Sequence, residues 1–289
     1  MRIAAWSCFW LHTALLAMGM FGLLSAVPHP EQFAGNAPAM AFYGWAIANL
    51  GTADILSGAL AMLLFGIYAI GWQKTALFAA IATVLSATAE LTGTATGWPF
   101  GGYEYTHQLG WQILGRVPYT VPLSWFYMGF AAYLVATKIA QPQPAFTAAT
   151  RARTVVAVIL GAWLLTAWDL ALDPAMASPQ LNYMHFWVWH ETGPYYGMPL
   201  RNLAGWFATG ILFIGAGRLA WRRGIDATRL EVAFPFGIYA VNVIWAMGLS
   251  ISVGEWPTAM LTTLLALVPA ALSLRGTPIA RLTKPAKAA

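Results

Sequence analysis

Charge is what this chain has least of. Asp, Glu, Lys and Arg make up 9% of its 289 residues, against about 25% in a soluble domain, so most of the surface is built for something other than water. Cysteine occurs once, at Cys8, which excludes an intrachain disulfide framework and a thiolate metal cluster. Lysine occurs at Lys74, Lys138, Lys284 and Lys287, always at or beyond the end of an apolar run. None of them can carry a buried Schiff base, which excludes a retinal-type photoreceptor. A phosphate loop, a nucleophile elbow and a dinucleotide fingerprint are all missing; the stretch GWPFGG at 97–102 lacks the preceding strand and the spacing. Internal repeats and low-complexity segments are absent too, so the chain reads as a single integral membrane domain over 1–289.

What fills the chain instead is apolar. Aliphatic, aromatic and Cys residues reach 59% and the mean hydropathy is +0.62. Eight runs, at 4–26, 44–70, 76–97, 119–139, 154–172, 202–220, 232–252 and 257–273, have the length of a membrane-crossing helix, roughly 20 residues. The expected fold is an all-α polytopic bundle of about eight transmembrane helices with two long aromatic-rich re-entrant or interfacial loops, the helix that carries Asp169 and Asp173 ending at Pro174. The first run, with Arg2 ahead of it and Leu24-Ser25-Ala26 at its end, has some features of a cleaved signal, but its length favours an uncleaved first span.

The net charge of +5 and pI near 9.4 do not point to nucleic acid. The basic residues sit in short connections between apolar runs, where the partner is the anionic headgroup layer. Thirteen of the fifteen Lys and Arg fall at the N-terminus, in the even-numbered connections and in the tail, including Arg222, Arg223 and Arg281; the odd connections hold Arg116 and Arg201. The positive-inside rule then puts both termini in the cytoplasm of a cell-membrane protein. The acids distribute the other way. Glu31, Glu104, Asp173, Glu191 and Glu255 lie in or beside odd connections, and Asp54, Glu90 and Asp169 lie inside apolar runs. The acidic chemistry is expected in the outer half of the bilayer.

Two odd connections, 98–118 and 173–201, are long and rich in aromatics: Trp98, Phe100, Tyr103, Tyr105 and Trp111 in the first, Tyr183, Phe186, Trp187, Trp189, Tyr195 and Tyr196 in the second. Such density suits a membrane interface or a segment folded back into the bundle.

A carboxyl inside a membrane costs a few kcal/mol, so each one is a candidate functional group. Glu90 has Thr88, Thr92, Thr94 and Thr96 nearby as possible hydrogen-bond partners; the alternative is a carboxyl that packs helices. Asp54, among small residues and near Asn49 and Thr52, suits a catalytic acid or a polar clamp equally. Asp169 and Asp173 lie four apart, on one helix face. They suit a Mg²⁺ and diphosphate site, a pair sharing one proton, or a helix end held by Arg201 or a Trp donor. His185, His190 and Glu191 have a spacing open to metal binding, but without Cys ligands or a zincin pattern they read as hydrogen-bonding partners. His107 reads the same way, and His12 and His29 read as structural.

Acids in a dry, aromatic-walled chamber suit proton transfer to an apolar substrate. A carboxyl away from water favours its neutral, proton-bearing form, and Trp and Tyr faces stabilise a carbocation. The class is a hydratase, isomerase or cyclase of a long alkene.

The run Thr92-Gly93, Phe100-Gly101-Gly102-Tyr103-Glu104-Tyr105-Thr106, Leu109-Gly110, Val117-Pro118, Pro122-Leu123 and Trp125 continues through Asp169, Asp173-Pro174, Trp187-Val188-Trp189, Gly193, Tyr195-Tyr196-Gly197, Pro199, Asn202 and Gly205-Trp206. Together these positions resemble the membrane carotenoid-biosynthesis family that includes the carotenoid 1,2-hydratases. The resemblance implies addition of water across the terminal carbon–carbon double bond of an acyclic carotenoid end group, giving a tertiary alcohol without a cofactor. On that reading Glu90, Asp169, Asp173, Glu104 and Asp54 are the candidate catalytic groups. Trp98, Tyr103, Tyr105, Trp125, Trp187, Trp189, Tyr196, Asn202 and Trp206 are the candidate substrate-binding residues, no metal is called for, and the partners are the carotenoid, water and lipid. A membrane end-group cyclase or isomerase, a Mg²⁺-dependent prenyltransferase and a non-catalytic carotenoid or lipid carrier are the alternatives.

Overall fold

A computed structural model describes residues 1–140, 149–181, 184–221 and 224–275. Tyr183 of the second loop, and Arg222, Arg223, Arg281, Lys284 and Lys287 of the charge count, lie outside the described residues. The protein is an all-α polytopic bundle, and among the described residues eight helical spans are long and apolar enough to cross a membrane. They are α1 (Arg2–Phe21, prolonged by a π-helical turn, Gly22–Ala26), α2 (Ala37–Ile70), α3 (Trp72–Thr96), α4 (Thr120–Ala140), α5 (Ala149–Met176), α6 (Leu200–Ala220), α7 (Ala233–Ser252) and α8 (Trp256–Thr262, continued by a π turn, Thr263–Leu267, an α turn, Val268–Ala271, and a 3-10 turn, Leu272–Leu274).

Four expected boundaries shift by four residues or more: α3 begins at Trp72 rather than 76, α5 begins at Ala149 rather than 154, and the other two have a visible cause. α2 begins at Ala37 rather than 44, because Asn36 caps it by accepting a hydrogen bond from the Ala39 N–H and Pro38 fits the first turn. α5 does not end at Pro174 but runs through it to Met176. A proline leaves the carbonyl four residues earlier without its N–H, and that carbonyl, Leu170 O, accepts from the Tyr195 hydroxyl at 3.0 Å. The next one, Ala171 O, also receives Ser250 Oγ at 2.7 Å. With the freed group satisfied, the helix continues.

α4 is the axis of the bundle. It buries every residue from Trp125 to Thr137 and packs against α2, α3, α5 and α7, as an all-apolar helix must. α2 turns into α3 through Gly71 alone, at φ +93°, a conformation that other residues adopt only with strain.

The cationic connections meet at one end. Lys74 Nζ donates to Gly224 O at 3.0 Å, Lys138 Nζ to Ala227 O at 3.1 Å, and Arg2 makes a two-pronged pair with Glu231 at 2.9 and 2.7 Å. Arg116 and Arg201 are at the other end, where they bond to Thr94 O and Glu191.

That second end carries the two aromatic loops, and they fold on each other. β1 (Tyr103–Tyr105) pairs antiparallel with β4 (Trp187–Trp189), in the register Tyr103 with Trp189 and Tyr105 with Trp187. A smaller hairpin joins β2 (Gln112–Ile113) to β3 (Val117–Pro118). Side chains alternate across a strand. Tyr103 and Trp187 are therefore buried and Glu104 and Val188 exposed.

Candidate active site

α3 brings Glu90 to the loop end of the bundle, where its carboxyl is buried, with 3% of the residue exposed. The nearby threonines are not its partners: Thr88, Thr92, Thr94 and Thr96 each donate to a carbonyl of their own helix. Three donors from elsewhere converge instead. Oε1 accepts from Trp125 Nε1–H at 2.8 Å, and Oε2 accepts from the Tyr105 hydroxyl at 2.9 Å and from the Tyr103 hydroxyl. Burial first, and the neighbouring Glu90 second, push both phenols well above the ordinary tyrosine range, so both keep the proton they donate.

The loop reaches Glu90 because two glycines let it in. A Cβ on Gly93 of α3 or on Gly205 of α6 would meet the Phe100 ring at 2.7 Å. Phe100 therefore wedges between the two helices, and Tyr103 follows it inward.

Asp169 and Asp173 lie on the facing helix, α5, and both are buried. Arg201 does not hold them, since it pairs with Glu191 at the exterior, where its guanidinium holds that carboxyl below the usual range. The amide nitrogen of Asn202, on α6, bridges the pair: Nδ2 donates to Asp169 Oδ2 at 3.0 Å and to Asp173 Oδ2. Asp169 Oδ1 has no protein partner. Asp173 and Asn202 face the cavity and Asp169 stands behind them.

The aromatic walls are ordered around these acids. Trp125 stacks on Trp206, with centroids 4.1 Å apart and planes at 25°, and Trp168 meets Trp206 edge-on. Tyr103 leans on Trp189 and Tyr105 on Trp187. All of them except the buried Asp169 line one part-open cavity of about 200 Å³.

A second polar group borders the same cavity. Asp54 on α2 is held by His12 of α1, whose Nδ1 lies 2.8 Å from the carboxyl Oδ1 and 3.0 Å from the Asp54 carbonyl. His12 Nε2 meets Asn242 Nδ2 at 2.9 Å, and Asn242 Oδ1 accepts from the Tyr127 hydroxyl at 2.9 Å. Asn242 Nδ2 also bonds to Ile238 O at 2.8 Å. A carbonyl only accepts, so Nδ2 is the amide donor, Nε2 of His12 is the acceptor, and the imidazole proton sits on Nδ1, toward Asp54. The chain of bonds ties α1, α2, α7 and α4 together.

The structure thus gathers Glu90, Asp169, Asp173, Tyr103, Tyr105, Trp125, Trp187, Trp189, Asn202 and Trp206, with Asp54 farther along the cavity. Glu104, Trp98 and Tyr196 are not brought in. Glu104 points outward from β1, 3.7 Å from the exposed His190; Trp98 is 73% exposed and Tyr196 42%, and none of the three lines the cavity. Among the described residues no three His, Cys, Asp or Glu side chains sit where they could share a metal ion. Asn242 and Tyr127, not singled out at all, line the cavity, and His12, read as structural, joins Asn242 to Asp54 from behind; an Asn in the apolar run 232–252 was the available signal.

The fold and the site define a polytopic membrane protein whose helix bundle gathers acids and stacked aromatics around one cavity. The family described as "Carotenoid biosynthesis protein" matches residues 50–269, which cover Glu90, the Asp169/Asp173 pair and both loops, and the chain belongs to that family. It is also similar to a bisanhydrobacterioruberin hydratase of Haloarcula japonica, 32% identical over 148 residues, or 51% of this chain. The match spans 46% of that relative, so the chain covers under half of its length. No solved structure matches.

Proposed function

We propose that the protein hydrates the terminal double bond of an acyclic carotenoid. The observation that carries this reading is the pairing, across one aromatic-walled cavity, of two carboxyl stations with opposite surroundings. Glu90 receives three donors, a setting that suits a carboxylate. Asp169 and Asp173 share a single amide nitrogen between two carboxyls, a setting that suits a shared proton.

In this mechanism Asp173, the member of the pair that faces the cavity, gives its proton to the CH carbon of the terminal trisubstituted alkene. The π pair forms the new C–H bond and leaves a tertiary cation. The stacked faces of Trp125 and Trp206 stabilise it, by about 0.5 to 2 kcal/mol per good contact. Water adds to the cation, and its surplus proton passes to Glu90. Return of that proton to the aspartate pair restores the starting state, so water and alkene are the only reactants and no cofactor enters. The thirteen Lys and Arg of the N-terminus, the even-numbered connections and the tail support an orientation with both termini cytoplasmic and the site in the outer half of the membrane.

The test is expression in a host that accumulates acyclic carotenoids, with mass spectrometry of the pigments. The expected product is heavier than its precursor by one water and carries a tertiary alcohol. Unchanged pigment from every acyclic carotenoid supplied would sink the proposal, and a new product of unchanged mass would replace it with a cyclase.

A further inference from the structure

Packing is missing where α1 and α2 approach the loop end. No residue of α2 before Ser57 is buried, whereas Ser57, Gly58, Ala59, Ala61, Met62, Phe65 and Gly66 follow in quick succession. Yet the unpacked half carries a stripe at helical spacing: Tyr43, Ala46, Ile47, Leu50, Gly51 and Asp54 are all half-buried, and all six line the cavity. A 3.6-residue stripe of this kind normally faces protein. Here all six border the cavity, with Asp54 against His12 and Gly51 beside Leu109 at its inner end. α1 behaves in the same way beyond Leu16: its π turn, Gly22–Ala26, buries nothing, and π turns inside helices recur at functional sites. Gly19 and Gly22 border the cavity, and a Cβ built on either meets no atom within 4 Å.

The opposite faces of these two helix segments, with Phe21, Leu24, Phe42 and Trp45, are exposed and apolar. One helix thickness therefore separates the cavity from lipid along this seam. Among the lining residues the polar side chains are those of the acid cluster, the Asp54 clamp, Ser124, Gln108 and Tyr43, and the rest of the seam is hydrocarbon and ring surface. A ligand matching that distribution is long, uncharged and reactive at its tip.

We infer that the α1–α2 seam is the binding channel for the apolar polyene chain of an acyclic isoprenoid, which enters sideways from the bilayer with its end group leading toward Glu90 and Asp173. This rests on the hydratase reading for what happens at the tip, but not for what the seam binds.

The experiment uses the full chain purified in nanodiscs, with Gly19→Phe and Gly22→Phe to fill the channel. Gly44→Phe is the control: a Cβ there also meets nothing within 4 Å, but Gly44 is exposed and does not line the cavity. Two probes are used, lycopene and 2,6-dimethyl-2-octene, a short alkene with the same trisubstituted end. Both channel variants are expected to melt like wild type and to retain and hydrate lycopene about tenfold less or worse. They are expected to hydrate the short alkene as wild type does, and Gly44→Phe to be unchanged with both probes. Wild-type lycopene retention in both channel variants, or no retention by wild type, overturns the channel. If hydration is absent everywhere but lycopene is retained by wild type and Gly44→Phe and lost in the two channel variants, the hydratase reading fails and the channel stands.

Discussion

Glu90 and Asp54 are both carboxyls inside apolar helices, and both border one cavity, yet their surroundings differ in kind. Asp54 is held by residues of other helices: His12, Asn242 and Tyr127 form a closed chain in which each donor has an acceptor. Two of the three groups around Glu90 come from a loop that must first fold back into the bundle. The difference separates a group that holds helices in place from one whose environment can be rebuilt around a substrate. Buried polar atoms left without partners cost about 1 to 3 kcal/mol each, so on the proposed function the clamp is expected to answer to stability and the loop-built site to chemistry.

The sharpest way to break this contrast is Glu90→Gln. Hydration is expected to fall by about 100-fold or more, with little change in melting temperature, as read by product formation and thermal unfolding in nanodiscs. If the unfolding temperature drops and activity per folded molecule holds, the two carboxyls play the same part. Next come the paired aspartates. Asp173→Asn should cost about 100-fold, and Asp169→Asn, behind it, about tenfold, because only Asp173 faces the cavity. Equal losses would make the proton the property of the pair as a whole.

His12→Ala should do the reverse of Glu90→Gln. Its expected cost is roughly 2 to 4 kcal/mol of stability, from the space it leaves and the unpartnered Asn242 and Asp54, while turnover per folded molecule stays within about threefold of wild type. A collapse of turnover at unchanged stability would move Asp54 into the chemistry.

The smallest effect is expected at Glu255, just ahead of α8, where burial, partly offset by a hydrogen bond from Ser178, raises the carboxyl to about 7. A raised carboxyl pKa means that the folded protein binds the proton more tightly than the unfolded chain. The cost of ionising it in the folded state is absent below the ordinary glutamate value, grows as pH rises toward 7, and is constant above it. Melting temperature should therefore decline modestly between pH 5 and pH 8, and Glu255→Gln should flatten that decline. An unaltered slope in the variant assigns the pH dependence to other groups.

Much of the bundle was legible because each span is a long apolar run ended by charge or by Gly and Pro, a pattern that depends on no partner. Two of the boundaries that moved depend on partners: Asn36 capping α2, and Tyr195 supplying the hydrogen bond that Pro174 cannot. The acids were legible because a carboxyl in an apolar run is costly wherever it lies. What surrounds them was not, since helical spacing does not say which faces meet, and so His12, Asn242 and Tyr127 gave little sign. Glu104 is a different case. Tyr103-Glu104-Tyr105 and Trp187-Val188-Trp189 both alternate with period two, and reading them as strands would have turned Glu104 outward from the start.

The pairing of those two strands also sets an order of assembly. In a chain that inserts helix by helix, α3 and α5 carry Glu90, Asp169 and Asp173 into place before Trp187–Trp189 can pair back onto Tyr103–Tyr105. A chain that stops after α5 would hold all three acids and lack one wall of their cavity. The acid site is thus unfinished for much of the protein's synthesis, and the return of one short strand completes its wall.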